Sequence, residues 1–153
     1  MVKLAIEGIP RFFLQTYEAE KRTVSYSYET MEHLREACPE RTFYYIIGAD
    51  SLFQVETWKH PERFLRSCTM IAAKREHRET DDALESQIRH LKERYKTVIL
   101  FSRAPVFEVS SSKIREMVKR GEDIHHLVPP SVASYIYNHH LYREDIEVEQ
   151  RNS

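Results

Sequence analysis

Glycine is scarce in this chain. Its 153 residues hold three, Gly8, Gly48 and Gly121, against an average usage of roughly 7%. Neither a P-loop nor a GxGxxG turn can be written with them, which excludes a glycine-rich phosphate cradle. Cysteine is scarcer still: Cys38 and Cys68 show no metal spacing and lie near no secretory segment, so a reducing cytoplasm is the simple inference. No apolar run approaches the length needed to cross a bilayer, and no repeat or low-complexity segment is visible, so a membrane partner is not expected. Neither sign of charge dominates. With 23 basic against 24 acidic residues there is no global field to attract nucleic acid, and any anion recognition must be local.

What the chain does contain is the material of a soluble globular protein, 41% hydrophobic and 31% charged, long enough to bury a core. Residues 1–142 read as a single domain, and 143–153, REDIEVEQRNS, as a charged tail that frays.

Strand and helix patterns alternate along the domain. An amphipathic run with Val2 and Ile6 on one face ends at Gly8 and Pro10. Phe12 to Tyr17 reads as a strand. Ser25 to Ala37 reads as a helix, with Glu29 and Glu32 early and His33 and Arg35 late, a charge order that agrees with the helix dipole. Thr42 to Ile47, TFYYII, is a β-branched and aromatic run of the kind buried on both faces of a parallel sheet. It runs into Gly48-Ala49-Asp50-Ser51, a small-residue turn with an aspartate where open α/β sheets put ligand contacts; the competing reading is that Asp50 only caps the next helix. Trp58 lies in the loop ETWKHP, either as a satellite of the core or as a platform for a ligand.

Cys68 to Ala73 is a further strand. Asp81 to Tyr95 is the clearest helix, with Leu84, Ile88, Leu91 and Tyr95 on one face, acids first and bases last. Val98 to Phe101 is a strand, and Pro129 introduces a last helix with Val132, Tyr135 and Ile136 as its apolar face. The pairs His125/His126 and His139/His140 are sequence neighbours that do not share a helix face, so no metal site is expected from them. The alternation predicts an α/β protein with a Rossmann-like parallel sheet and flanking helices.

One stretch breaks the electrostatic pattern. In Phe107 to Gly121, FEVSSSKIREMVKRG, three hydroxyls stand at a predicted N-cap, Ile114, Met117 and Val118 form an apolar stripe, and Gly121 closes the helix. Lys113 and Arg115 fall in the first turn, where the dipole disfavours cations, and no Glu or Gln closes a capping box. Hydroxyls, open backbone donors and two cations meet at one spot, the chemistry of a phosphate site. The alternative is a serine-capped helix with solvated basic residues.

Four stretches in order, VSYSYETMEHL, FYYIIGADSLFQVETWKHPERF, FEVSSSKIREMV and LVPPSVASYIYNHHLY, resemble the bacterial nicotinate-nucleotide adenylyltransferases of the nucleotidylyltransferase superfamily. The resemblance implies that the phosphate of nicotinate mononucleotide attacks the α-phosphorus of ATP in line, releasing pyrophosphate, with Mg²⁺ neutralising the polyphosphate. It assigns Ser111, Ser112 and Arg115 to the ATP-phosphate turn with Ile114 as its apolar anchor, and Gly48 and Asp50 to the adenosine ribose. Trp58 becomes the aromatic that stacks on the pyridine ring. Ser25, Tyr26 and Ser27 become the segment that holds the nicotinate carboxylate, with serine at Ser27 where the family more often has threonine. Arg75 stands near a basic position of the family, but Glu76 and His77 replace the proline and glycine expected after it.

The family's GGTFDPIHxGH motif, whose histidines and amides bind the ATP phosphates, and its PPHK segment are not in these residues. The N-terminal strand-helix units of the fold are therefore expected to be missing, together with the main catalytic group, and unpaired sheet edges are expected. This leaves adenylyl transfer to nicotinate mononucleotide, impaired in this chain, beside a non-catalytic nucleotide-binding remnant or partner-dependent fragment. A pantetheine or cytidylyl acceptor is a third reading, against which Trp58 and Ser25 to Ser27 argue. The sequence leaves oligomeric state open, and a homo-oligomer is compatible with it.

Overall fold

The computed structural model describes residues 1–73, 80–102 and 109–143. In chain order the helices are α1 (Val2–Ile6), α2 (Tyr17–Glu20), α3 (Ser27–Ala37), α4 (Ala49–Gln54), α5 (Pro61–Ser67), α6 (Asp81–Tyr95), α7 (Ser111–Lys119) and α8 (Pro130–Asn138). The strands are β1 (Tyr44–Gly48), β2 (Thr69–Ala73) and β3 (Ile99–Ser102). By internal contacts the chain divides into two units, Thr16–Glu108 and Met1–Gln15 with Val109–Ser153.

The first of these units is built on the sheet. Its strands are all parallel, in the order β1-β2-β3, with Ile46 opposite Ile71 and Leu100. Parallel neighbours require crossovers: α4 and α5 lead from β1 to β2, and α6 leads from β2 to β3. Because side chains alternate along a strand, Tyr45, Ile47, Met70, Ala72, Ile99 and Phe101 share one face. They join a core with Leu52 of α4, Phe64 and Leu65 of α5 and the α6 row Leu84, Ile88, Leu91 and Tyr95. Burying each of the large apolar side chains contributes about 1.5–3 kcal/mol. This is the Rossmann-like α/β arrangement expected, and the α6 bounds coincide with the predicted ones.

The other face of the sheet departs from expectation. Tyr44 is 58% exposed, Ile46 74%, Val98 55% and Leu100 47%. The run TFYYII was read as buried on both sides, but a continuous apolar run carries no information about which side a helix covers, and only the Tyr45/Ile47 side is sealed here. Phe12 to Tyr17 is likewise no strand: residues 12–16 take no regular structure, Phe13 is 89% exposed, and Tyr17 opens α2 instead.

The second unit is helical. Val118 of α7 and Val132, Ala133 and Ile136 of α8 close around Ile124, with Leu4 and Ala5 of α1 against them, and the Ser131 hydroxyl donates to the Leu4 carbonyl at 3.2 Å. Two helix ends are closed in the same way. Gly121, at φ 72°, sends its N–H to the Val118 carbonyl while Glu122 reaches Met117, the paired bonds of a Schellman motif. At the end of α8, His140 at φ 51° takes the glycine place, bonding Tyr137 while Leu141 bonds Ile136. Tyr135, predicted on the apolar face of α8, turns outward and packs on the His139 ring at 4.2 Å; Ala133 fills the core in its stead. Among the described residues no helix is long and apolar enough to cross a membrane.

Candidate active site

The residues singled out in the sequence fall in both units, and each group is built locally. In the sheet unit, Gly48 ends β1 and is the N-cap of α4, which places Asp50 in the first helical turn. Asp50 therefore does not cap the helix; its carboxylate is exposed at the C-terminal end of a strand, and its charge suits that end of the dipole.

Trp58 follows a single 3₁₀ turn, Val55–Thr57. Its ring packs at 5.2 Å on Phe64 and against the core, with the residue half-buried, so it is both a satellite of the core and partly open to a ligand. The 3₁₀ turn is anchored by Glu56, which accepts from the Tyr95 hydroxyl and binds His90 Nε2, each at 3.0 Å, and pairs with Arg94 at 3.0 Å. Burial pushes the Glu56 carboxyl up, but the bonds from Tyr95 and His90 and the charges beside it outweigh burial and hold it below its ordinary value. No local pattern could have revealed this anchor, because its partners on α6 lie 34 to 39 residues away.

The start of α3 is pinned in a comparable way. Ser25 donates to the Glu18 carbonyl at 3.4 Å, and Lys21 pairs with Glu29 at 2.8 Å while lying over the Tyr17 ring. The Lys21 ammonium, followed by the Tyr28 hydroxyl, holds the Glu29 carboxyl low. Tyr26 is the N-cap residue by position, with its ring 6.0 Å from that of Tyr28, and Ser27 is the first helical residue. Tyr28 meets His60 edge-on at 5.0 Å and lies under the Arg63 guanidinium, which is bound to Glu32. Ser25 to Ser27 and the Trp58 to His60 loop are thus linked through two ring contacts, Tyr26 on Tyr28 and Tyr28 on His60. His60 itself stands in the left-handed region at φ 49° and caps α5 ahead of Pro61. Arg75 lies outside the described residues.

In the helical unit, the start of α7 takes the predicted form, though Phe107 at the front of the stretch lies outside the described residues. Ser110 is the N-cap, and its hydroxyl accepts from the Lys113 amide at 3.2 Å. The amides of Ser111 and Ser112 are first-turn donors with no intrahelical partner. Arg115 Nη2 donates to the Ser112 hydroxyl at 3.1 Å, setting guanidinium and hydroxyl side by side on the exposed surface. Ile114 is half-buried against the unit's core and fixes the roll of the helix. No acidic residue occupies this first turn.

No protein-family model matches the chain. Individual relatives do. A protein of Lachnoclostridium phytofermentans described as a probable nicotinate-nucleotide adenylyltransferase is 38% identical over 142 residues, covering 93% of this chain and 70% of the relative. A Clostridium tetani protein of the same description is 37% identical over 143 residues, 94% of this chain and 71% of the relative. Among solved structures, a Plasmodium falciparum nicotinic acid mononucleotide adenylyltransferase complexed with APC superposes with a TM-score of 0.60 at 20% identity, covering 79% of this chain. The same enzyme complexed with NaAD gives 0.58 at 21% identity, covering 78% of this chain. At that identity the likeness concerns the fold. The chain spans about 70% of the length of the curated relatives and 60% and 58% of the two solved chains.

Proposed function

The chain belongs to the nicotinate-nucleotide adenylyltransferase family, and on that premise we propose that it serves adenylyl transfer from ATP to nicotinate mononucleotide, giving nicotinate adenine dinucleotide and pyrophosphate in NAD biosynthesis. A phosphate oxygen of the mononucleotide forms the new bond to the α-phosphorus of ATP, and the bond from that phosphorus to the bridging oxygen breaks as pyrophosphate leaves. Such a step needs alignment and a counter-charge more than a covalent nucleophile.

The observation that carries the proposal is the start of α7. Two partnerless first-turn amides, the Ser112 hydroxyl and the Arg115 guanidinium beside it offer donors to a polyphosphate, and Ile114 keeps them in place. Asp50, exposed at the end of β1, would accept from the ribose hydroxyls, with Gly48 leaving room beside it. Trp58 would stack on the pyridine ring, and Ser25, Tyr26 and Ser27 would hold the nicotinate carboxylate; Arg75 is the weakest of the carried-over positions. Mg²⁺ would accompany ATP on the polyphosphate, offsetting its charge. Among the described residues no group of three or more His, Cys, Asp or Glu could hold a metal ion. A cytoplasmic setting belongs to the same proposal and rests on the two free cysteines.

The exposed apolar face of Tyr44, Ile46, Val98 and Leu100 favours a second reading, a nucleotide-binding unit whose sheet another polypeptide must complete before turnover. One positioned donor can contribute about 10²–10³ in rate, and the family's histidine motif is not among these residues, so the purified chain is expected to bind both substrates and turn them over feebly. Robust pyrophosphate release would remove the second reading. The residue roles are tested by calorimetry on single variants. Arg115→Ala should weaken ATP about 10–100-fold, the loss of a charge-assisted bond of about 1.5–3 kcal/mol, and spare the mononucleotide. Trp58→Ala should do the reverse, and exchanged effects would overturn the roles.

A further inference from the structure

The end of the sheet opposite Asp50 holds a cleft of about 350 Å³. It lies at the N-terminal ends of the strands, one strand length, roughly 13–16 Å, from the Gly48 end. Three helices finish here. Arg35 stands in the last turn of α3, Arg66 in the last turn of α5, and Lys96 is the residue that closes α6; Arg41 enters from the loop before β1. All four line the cleft, and no carboxylate does.

The ordinary role of such cations is to offset the negative ends of helix dipoles, and that role is too small for the charge present. Each helix end is equivalent to about half an elementary charge. Arg41 pairs with Glu40 at 3.4 Å, both side chains being exposed. Arg35, Arg66 and Lys96 have no ion-pair partner among the described residues, so three full charges face three halves. Lys96 moreover holds the left-handed conformation, φ 56°, at a position that glycine fills more readily. Among the hydroxyl residues of the walls, Ser67 and Thr97 spend their protons on the carbonyls of Phe64 and Leu65, both at 2.6 Å, and Thr42 and Thr69 line the same cleft.

We propose that this cleft binds a small phosphorylated anion, at the end of the sheet opposite Gly48 and Asp50. The cleft lies at the low end of ligand-pocket size and is concave, which suits a compact molecule carrying one or two phosphoryl groups; a nucleic-acid backbone would need an extended basic surface, and the chain's net charge is −1. Nothing in this inference depends on adenylyl transfer.

The test is amide chemical-shift titration of the full chain with inorganic phosphate and with pyrophosphate, at ionic strength matched with sodium chloride. Saturable shifts at Thr42, Thr69 and Thr97 are expected, with affinity falling at least tenfold in the Arg66→Gln/Lys96→Gln double variant and in Arg35→Gln. Arg35 is exposed, so its variant keeps the test valid if the double variant does not fold. Tighter binding of pyrophosphate supports a diphosphate ligand, and equal binding supports a single phosphoryl group. No saturable shift at these residues, the same shift with chloride alone, or an affinity indifferent to all three cations would overturn the proposal.

Discussion

Helices α6 and α7 begin alike and diverge within one turn. Thr80 accepts from the Ala83 amide at 3.2 Å, as Ser110 does from Lys113, so both starts satisfy one orphan donor by a hydroxyl cap. After the cap, α6 places Asp81 and Asp82 at the positive end of the dipole, and α7 places Lys113 there with Arg115 at the start of the next turn. The first arrangement lowers the energy of the free protein. The second raises it slightly, a cost that a bound anion would offset. Their buried faces differ in the same sense: α6 commits four residues to the core, whereas α7 buries only Val118 and keeps its first turn at the surface.

The contrast can be tested from its strongest side down. Leu84→Ala removes a fully buried side chain of α6 and should lower unfolding free energy by about 2–5 kcal/mol, read from denaturant melts. The two caps come next. Thr80→Ala and Ser110→Ala should each cost about 1 kcal/mol, but the Ser110 variant should also lose ATP affinity as the first turn of α7 frays, and the Thr80 variant should not. Equal effects on ATP would erase the distinction. Smaller still, Lys113→Glu should stabilise the free protein by about 0.3–1 kcal/mol while weakening ATP; a destabilised variant would show that the cation serves the fold.

The smallest effect concerns the far end of α6, held by Glu56. Its folded carboxyl lies below the ordinary value of 4.5, so its contribution is complete above that value and is lost as pH falls through the lower folded one. The stability gap between the native chain and Glu56→Gln should therefore narrow as pH falls below 4.5. A gap that widens on acidification would reverse the assigned sign.

The same pair of helices shows what was legible in the sequence. Every local signal read for α6 agreed, periodicity and charge order alike, and its bounds followed residue by residue. The cap of α7 and its disfavoured cations were equally readable, because a helix start is a local object. What depended on distant partners was not. TFYYII could not disclose that only its Tyr45/Ile47 side is covered, Phe12 to Tyr17 had strand composition without a strand to pair with, and the outward turn of Tyr135 depended on what filled the core. The Glu56 anchor and the basic cleft at the strand starts assemble from residues dozens of positions apart. Their one visible trace was the late bases of the Ser25–Ala37 and Asp81–Tyr95 helices, a pattern the dipole alone accounts for.

The central claim is that the start of α7 is built for phosphate and the start of α6 for the fold. Amide chemical shifts of the full chain, followed as ATP with Mg²⁺ is added, test it directly. The account predicts saturable shifts at Ser111, Ser112, Lys113 and Arg115, with Thr80, Asp81 and Asp82 unmoved. Shifts confined to the α6 start, or equal at both, would contradict it.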